Sequence, residues 1–264
     1  MNIVVCVKQV PDTTEIKIDP VTNTLIRKGV PSILNPFDRY ALELALKIKD
    51  QNPETKISLV SMGPPQAEAV LREGISLGAD KAYLVTDRAF GGADTLATSY
   101  TLCLAIDVVE GKEGKADLIL CGKQAIDGDT AQVGPEIAEQ RDLPQISCVL
   151  KCELRDGKLV AKKETDDGFA VIETQLPCLI TATKNDEETR LPKVKDKIRS
   201  LKTEIVHITA ADVAADPNRL GLKGSPTKVA KSYARPVVKK ETEKLDARAE
   251  GTIGILAGKI KEAL

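Results

Sequence analysis

Four short apolar runs mark the first half of the chain: Ile3–Val7, Ile57–Ser61, Ala82–Val85 and Leu118–Cys121. Each is continuous rather than alternating, the pattern of strands buried on both faces of a parallel sheet. Helical patterns lie between them. In Pro36–Lys49, apolar residues near 37, 41, 42, 44, 45, 46 and 48 recur on a charged background, and Pro36 suits a first helical turn. Pro64–Leu77, Asp94–Val109 and Thr130–Gln140 read as three further helices, with Asp94 or Thr95 capping the one they open. Strands alternating with helices predict right-handed crossovers and an α/β fold with a mostly parallel, doubly wound sheet.

Two stretches break this rhythm. Glu15–Lys28 holds two strand-like pieces around Asp19–Asn23, an expected hairpin after the first strand. Residues 146–183 turn to alternating runs (ISCVLKCEL, KLVAKKE, FAVIETQ, CLITAT) punctuated by Asp156-Gly157 and Asp167-Gly168. Asp-Gly between such runs predicts hairpins, hence an antiparallel extension of the sheet. Composition becomes charged from about 184, the pattern of a solvated helix. Residues 216–264 have too little apolar content for a core of their own, so they read as a C-terminal arm with a short apolar-faced helix at 251–264. The expected division is an α/β domain over 1–215 and the arm over 216–264.

Charge narrows the function. Lys and Arg number 38 against 39 Asp and Glu, and aromatics are 3% with no Trp. That balance argues against nucleic acid as the main ligand, which needs a basic stripe or stacking platforms. The single histidine, His207, disfavours two-histidine metal sites and a Ser/His/Asp triad. Its expected role is structural. No two of the six cysteines form a CxxC pair, and Cys6, Cys121 and Cys178 sit inside apolar runs, as reduced core residues would. No apolar stretch approaches the ~20 residues of a membrane span, and the opening MNIVVCVKQV enters a short apolar run at once, with no basic n-region and no long h-region. The expected location is cytoplasmic. With side-chain catalysis disfavoured, a bound cofactor is the natural carrier of any chemistry.

In open α/β sheets, ligands bind beyond the carboxyl ends of the strands, where loops enter helix N-termini. The first strand runs into Val7, Lys8 and Gln9 instead of GxGxxG, so the dinucleotide fingerprint is absent. Asn35 and Asp38 bring an amide and a carboxylate to a helix start, where Asn35 is either a ligand contact or a simple cap. Met62 and Gly63 follow the second run. The richest loop is CGKQAIDGDTAQVGP, 121–135. Gly122, Gly128 and Gly134 permit close approach, and Lys123, Gln124, Thr130 and Gln132 offer donors. The helix start offers free N–H groups to a phosphate, while Asp127 and Asp129 either cap or accept from ribose hydroxyls. Gly91-Gly92-Ala93-Asp94-Thr95 forms a second glycine-rich helix start, read either as an anion cradle or as an ordinary capped turn.

The segments VCVKQVPD, NPFDRYALE and CGKQAIDGDTAQVGPEIAE together resemble the β subunit of electron transfer flavoproteins, from residue 1 to near 205. The resemblance implies an adenine-nucleotide-binding α/β domain with an arm wrapped around an α subunit. It also implies one of two ligands: structural AMP in ordinary members, or FAD that accepts hydride from NADH in electron-bifurcating members. The ordinary mitochondrial kind lacks the GGADT stretch, and Gly91–Thr95 is intact here with Thr98 following. The chain therefore resembles the bifurcating kind, whose electrons pass to ferredoxin and to an α-subunit FAD that feeds an acyl-CoA-type dehydrogenase. On that resemblance Val7, Asn35, Asp38, Met62 and the 122–128 loop contact adenosine and ribose, and Gly63 is a further cofactor contact. Asp129, Thr130, Ala131, Gln132 and Val133 contact phosphate, as do Gly92, Ala93, Asp94 and Thr95, with Thr98 nearer the flavin. Arg190-Leu191-Pro192 matches a partner-recognition loop, about 184–202, in which Leu191 is the anchor. Packing of Leu191 on the chain's own sheet is the plainer alternative. A stand-alone nucleotide-binding regulatory module is disfavoured by the long polar arm.

Overall fold

The computed structural model describes residues 1–12, 31–230, 244–246 and 248–263. The hairpin expected within 15–28 lies outside the described residues. Alternation along the strands divides the interior into two layers. Ile3 and Val5 of β1 (Asn2–Cys6) point to one face of the sheet, and Val4 and Cys6 point to the other. The first face is covered by α1 (Pro36–Gln51) and α2 (Glu68–Leu77), through Leu42, Leu46, Leu71 and Ile75. The second is covered by α3 (Thr95–Glu113) and α4 (Val133–Gln140), through Leu102, Ile106, Val109 and Ile137. With both faces covered, the strands must be apolar throughout, which is why the four runs are continuous.

Among the described residues, β1 lies in the interior of a nine-stranded sheet. On one side come β4 (Lys56–Met62), β5 (Lys81–Val85) and β11 (Val206–Ile208), and on the other β6 (Leu118–Gly122), β10 (Cys178–Ala182), β7 (Gln145–Arg155), β8 (Lys158–Thr165) and β9 (Gly168–Thr174). Pairing is parallel from β11 to β7 and antiparallel across β7, β8 and β9. A small separate ladder joins β2 (Gln9–Pro11) to β3 (Ser32–Leu34). The mostly parallel, doubly wound architecture with an antiparallel extension is as expected.

One strand departs from the expectation. CLITA, read with the antiparallel extension, is instead inserted as a parallel strand between β6 and β7. All five of its residues are buried, so it carries the signature of a central parallel strand rather than of a half-exposed hairpin leg. The register of β7 shifts where it meets this strand, and there Cys148 takes a left-handed backbone (φ 58°) and donates its N–H to Thr181 Oγ1 at 3.1 Å.

The charged stretch after 184 becomes a loop and α5 (Val194–Lys202), mostly exposed, with Ser200 buried. The apolar-faced helix expected at the C-terminus is α6 (Thr252–Ala263), with Ile253, Ile255, Leu256 and Ile260 exposed. All six cysteines are free. Burial pushes the Cys103 and Cys178 thiols up to about 12, and the neighbouring Cys6 thiol together with burial holds Cys121 well above its usual value. They are inert core groups. Among the described residues no helix is long and apolar enough to cross a membrane.

Candidate functional site

The connection out of β1 runs one way, to β4, and that out of β6 runs the other way, past β10 to β7. This reversal opens a crevice at the carboxyl ends of β1 and β6, the place where open α/β sheets bind ligands. Asp38 in the first turn of α1 closes its floor. Its Oδ2 accepts the Lys8 N–H at 2.7 Å and its Oδ1 accepts the Gly122 N–H at 3.1 Å, so one carboxylate ties the ends of both strands to one helix start. Glycine is required at 122 by the closeness of this crossing: a Cβ there would lie 2.3 Å from Asp38 Oδ1 and 2.7 Å from the Asp38 nitrogen. Asp38 is 6% exposed, and burial pushes its carboxyl up to about 7 against the lowering effect of Asn35, Lys8 and Gly122.

Asn35 makes no side-chain cap on α1. At 1% exposure it donates from Nδ2 to the Gln124 carbonyl at 2.8 Å and accepts the Ile126 N–H on Oδ1 at 3.2 Å. Its N–H donates to the Lys8 carbonyl at 2.9 Å. The amide therefore holds the 122–128 loop against the end of β1, and the reading of Asn35 as a simple helix cap is corrected. Lys8 Nζ meets Asp127 Oδ1 at 2.6 Å and closes the loop's far end. Val7 is buried and donates its N–H to Val60 at 2.9 Å, and the Gly63 N–H reaches Val85 at 3.0 Å, so the ends of β4 and β5 are stitched into the same rim. Met62 is partly buried against the α3 face.

The two glycine-rich helix starts differ. At α4 no side chain caps the N-terminus, and Asp129, Thr130 and Gln132 are exposed around it, with Ala131 in a left-handed conformation (φ 56°). Its first amides remain available to an anion. At α3 the Asp94 carboxylate caps, accepting the Ala97 N–H at 3.1 Å. An acid there opposes a phosphate directly above it, so Gly92, Ala93, Thr95 and Thr98 are the parts of that loop free of the cap. The two starts are neighbours: Thr95 Oγ1 donates to Glu136 Oε1 at 3.0 Å, while Glu136 Oε2 is buried without a hydrogen-bond partner. A buried acceptor left unmade is costly unless something completes it.

Leu191 lies apart from this crevice, beside α1, and is 80% exposed, which excludes packing on the chain's own sheet. Its loop is fastened from behind. The Arg190 guanidinium bridges Glu43 and Asp50, the Arg190 N–H donates to Glu43 Oε2 at 3.0 Å, and Arg39 holds Thr189 Oγ1 and the Arg190 carbonyl. Val194, Ile198 and Leu201 continue the exposed apolar surface along α5. His207 is exposed on β11, 3.8 Å from Glu68 and away from the crevice. Among the described residues no cluster of His, Cys, Asp and Glu is arranged to hold a metal ion.

Sequence reasoning missed Lys8 as the partner of Asp127, Glu136 as the partner of Thr95, and the Arg39/Arg190/Glu43 fastening. An acid in the first turn of a helix is so common that only its long-range neighbour distinguishes Glu136.

The family model for the electron transfer flavoprotein domain matches residues 22–213. This chain belongs to the electron transfer flavoprotein family. It is 52% identical to "Electron transfer flavoprotein subunit beta" of Megasphaera elsdenii over 89% of this chain and 88% of that one. Against the protein of the same name in Thermoanaerobacterium thermosaccharolyticum it is 49% identical over 100% and 95%. It is also 47% identical to "Caffeyl-CoA reductase-Etf complex subunit CarD" of Acetobacterium woodii over 99% and 98%. Such coverage at such identity makes this a β subunit of an electron transfer flavoprotein, a component of electron transfer.

Proposed function

We propose that this electron transfer flavoprotein β subunit is of the electron-bifurcating kind. Its crevice takes FAD, NADH is the hydride donor, and the electrons are divided between ferredoxin and an α-subunit FAD serving an acyl-CoA-type dehydrogenase. The observation that carries the reading is the bond between Thr95 and Glu136, which sets two glycine-rich helix starts side by side at the strand ends. A mononucleotide needs only the open start of α4. A dinucleotide needs room and donors for a second phosphate and for its polyol chain, and the Gly92–Thr95 loop adjoins that start. The unpartnered Glu136 Oε2 suits a hydroxyl donor. Similarity to a subunit of a caffeyl-CoA reductase–Etf complex supports the same direction.

When bound, the flavin supplies the hydride-accepting and electron-dividing chemistry. The chain's own residues bind and orient it. Asn35, Asp38 and Lys8 hold the 122–128 loop for the adenosine, and the amides opening α4, with Asp129–Val133, receive phosphate. Gly92, Ala93 and Thr95 flank the second phosphate, while Asp94 shapes that loop and Thr98 lies deeper along α3. The α subunit is the partner of the arm, whose apolar residues on α6 are uncovered. Leu191 and the α5 stripe face the dehydrogenase, as an exposed leucine on a fastened loop fits an anchor.

The second reading, an AMP-holding carrier without bifurcation, is favoured by one feature: Asp94 already occupies the α3 amides. Acid extraction and chromatography of the purified α/β complex separate the two. Two FAD per heterodimer without AMP is expected, and one FAD with one AMP would overturn the bifurcating reading.

A further inference from the structure

The arm does not swing free from its first residue. Asp216 donates its N–H to Tyr100 Oη at 3.0 Å, and the Arg219 guanidinium lies over the Tyr100 ring at 3.8 Å. Leu220 is buried in the α3-side core. Leu222 donates its N–H to the Gly91 carbonyl at 3.1 Å. Gly221 turns the chain (φ 50°) so closely over the loop that a Cβ would lie 2.3 Å from the Ala89 carbonyl oxygen and 2.8 Å from that of Gly91. The segment is seated on the Gly91–Thr95 loop.

Two side chains finish this seat, and both act on Asp94. Asp94 donates its N–H to Ser225 Oγ at 2.8 Å, while Ser225, buried, donates its hydroxyl to the Gly221 carbonyl at 2.7 Å. Thr227 donates its N–H and its hydroxyl to Asp94 Oδ2, at 3.0 and 2.9 Å. Asp94 Oδ1 meanwhile accepts from Ala97 in the first turn of α3. One carboxylate thus faces the cofactor-side helix with one oxygen and the arm with the other. Residues 226–230 are exposed from this point on.

We infer that Ser225 and Thr227 are positioning residues, holding the Gly91–Thr95 loop in the conformation that receives the cofactor. The seating of the arm and the occupancy of this half of the site are thereby coupled. The inference rests on the reading of that loop as part of the cofactor site. The physical reason is local. Without the arm, Asp94 Oδ2 loses two donors, the Asp94 N–H loses its acceptor, and the glycines at 91 and 92 leave the loop's backbone little else to fix it. Coupling of this kind is reciprocal, so cofactor in the loop strengthens the arm's hold and a displaced arm weakens the cofactor's.

The test uses the full-length α/β complex carrying Ser225→Ala, Thr227→Val or both, with Thr227→Ser as the conservative variant. Hydrogen–deuterium exchange is read at the amides of 91–98, and the dissociation constant of the second flavin is read by its absorbance after ultrafiltration. The double variant is expected to exchange about tenfold faster at 91–98 and to bind that flavin about tenfold more weakly, whereas Thr227→Ser stays near the wild type. Thr227 is exposed, so Thr227→Val leaves the core untouched and reports even where Ser225→Ala fails to fold. Unchanged exchange in Thr227→Val and in the double variant overturns the inference. Faster exchange with an unaltered dissociation constant overturns it too, since the contacts would then be packing alone. A wild-type complex holding one FAD and AMP would sink the flavin reading separately. The AMP dissociation constant then replaces that of flavin, and its insensitivity to the double variant would overturn the inference.

Discussion

Asp38 makes the stability of this domain depend on pH in the direction opposite to most carboxylates. Its folded value is about 7, and its unfolded reference is 3.8. Between those values the native state binds more protons than the unfolded chain, so stability falls as pH rises. With one such group, linkage gives a loss of roughly 2–3 kcal/mol between pH 5 and pH 8, at 1.36 kcal/mol per pKa unit. The cost is that of burying a charge that Asn35, the Lys8 and Gly122 N–H groups and the Lys8 charge answer only in part. Urea unfolding of wild type and Asp38→Asn across pH 5–8 isolates it, because every other titrating group is common to both. The wild-type curve should fall relative to the variant by that amount as pH rises. Asn offers only one acceptor oxygen to two backbone donors, so the variant is also expected to be weaker by about 1–3 kcal/mol near pH 5, where the charge is absent from both. Parallel curves would refute the reasoning and show that the carboxylate is solvated in the native state.

The other expectations concern the crevice and the anchor. Gly122→Ala sets a methyl group against the Asp38 side chain and the backbone of α1, and since that backbone cannot yield, a loss of about 2–4 kcal/mol in chemical denaturation is expected. Asn35→Ala leaves the Gln124 carbonyl and the Ile126 N–H unpartnered, costing about 1–3 kcal/mol and speeding amide exchange at Ile126; unchanged exchange there would show that the loop holds itself. Leu191→Ala should leave stability within the range of a surface change, about 0.5 kcal/mol, yet weaken binding to the dehydrogenase proposed as its partner by at least ~1 kcal/mol in calorimetry. Arg190→Ala should weaken the same binding while also loosening exchange in 188–193, since it releases the fastening to Glu43 and Asp50.

What could be read in advance follows from the range of the forces involved. The four parallel strands and their helices are written locally: apolar runs buried on both faces, and helical faces with charged backs. The crevice too was legible, because helix starts and glycines after strands mark the ends where ligands bind. Cys178–Ala182 misled for a physical reason. A short apolar strand has the same appearance in a hairpin as in the centre of a sheet, and only its pairing with Leu118–Gly122, some sixty residues away, decides between them. The role of Asn35 was undecidable for the same reason. An asparagine before a helix suits a cap, and what displaced the cap was a pair of backbone groups at 124 and 126 that no local pattern connects to it. Asp94 shows the converse. Its cap on Ala97 is the local signal read correctly, yet the same carboxylate also receives Thr227, 133 residues away. Local chemistry places a polar group at an element's end, and tertiary contact then decides how many partners it serves. Asp38, Asn35 and Asp94, whose side chains reach partners far along the chain, all border the crevice, so perturbing any of them should alter the crevice before it alters the fold.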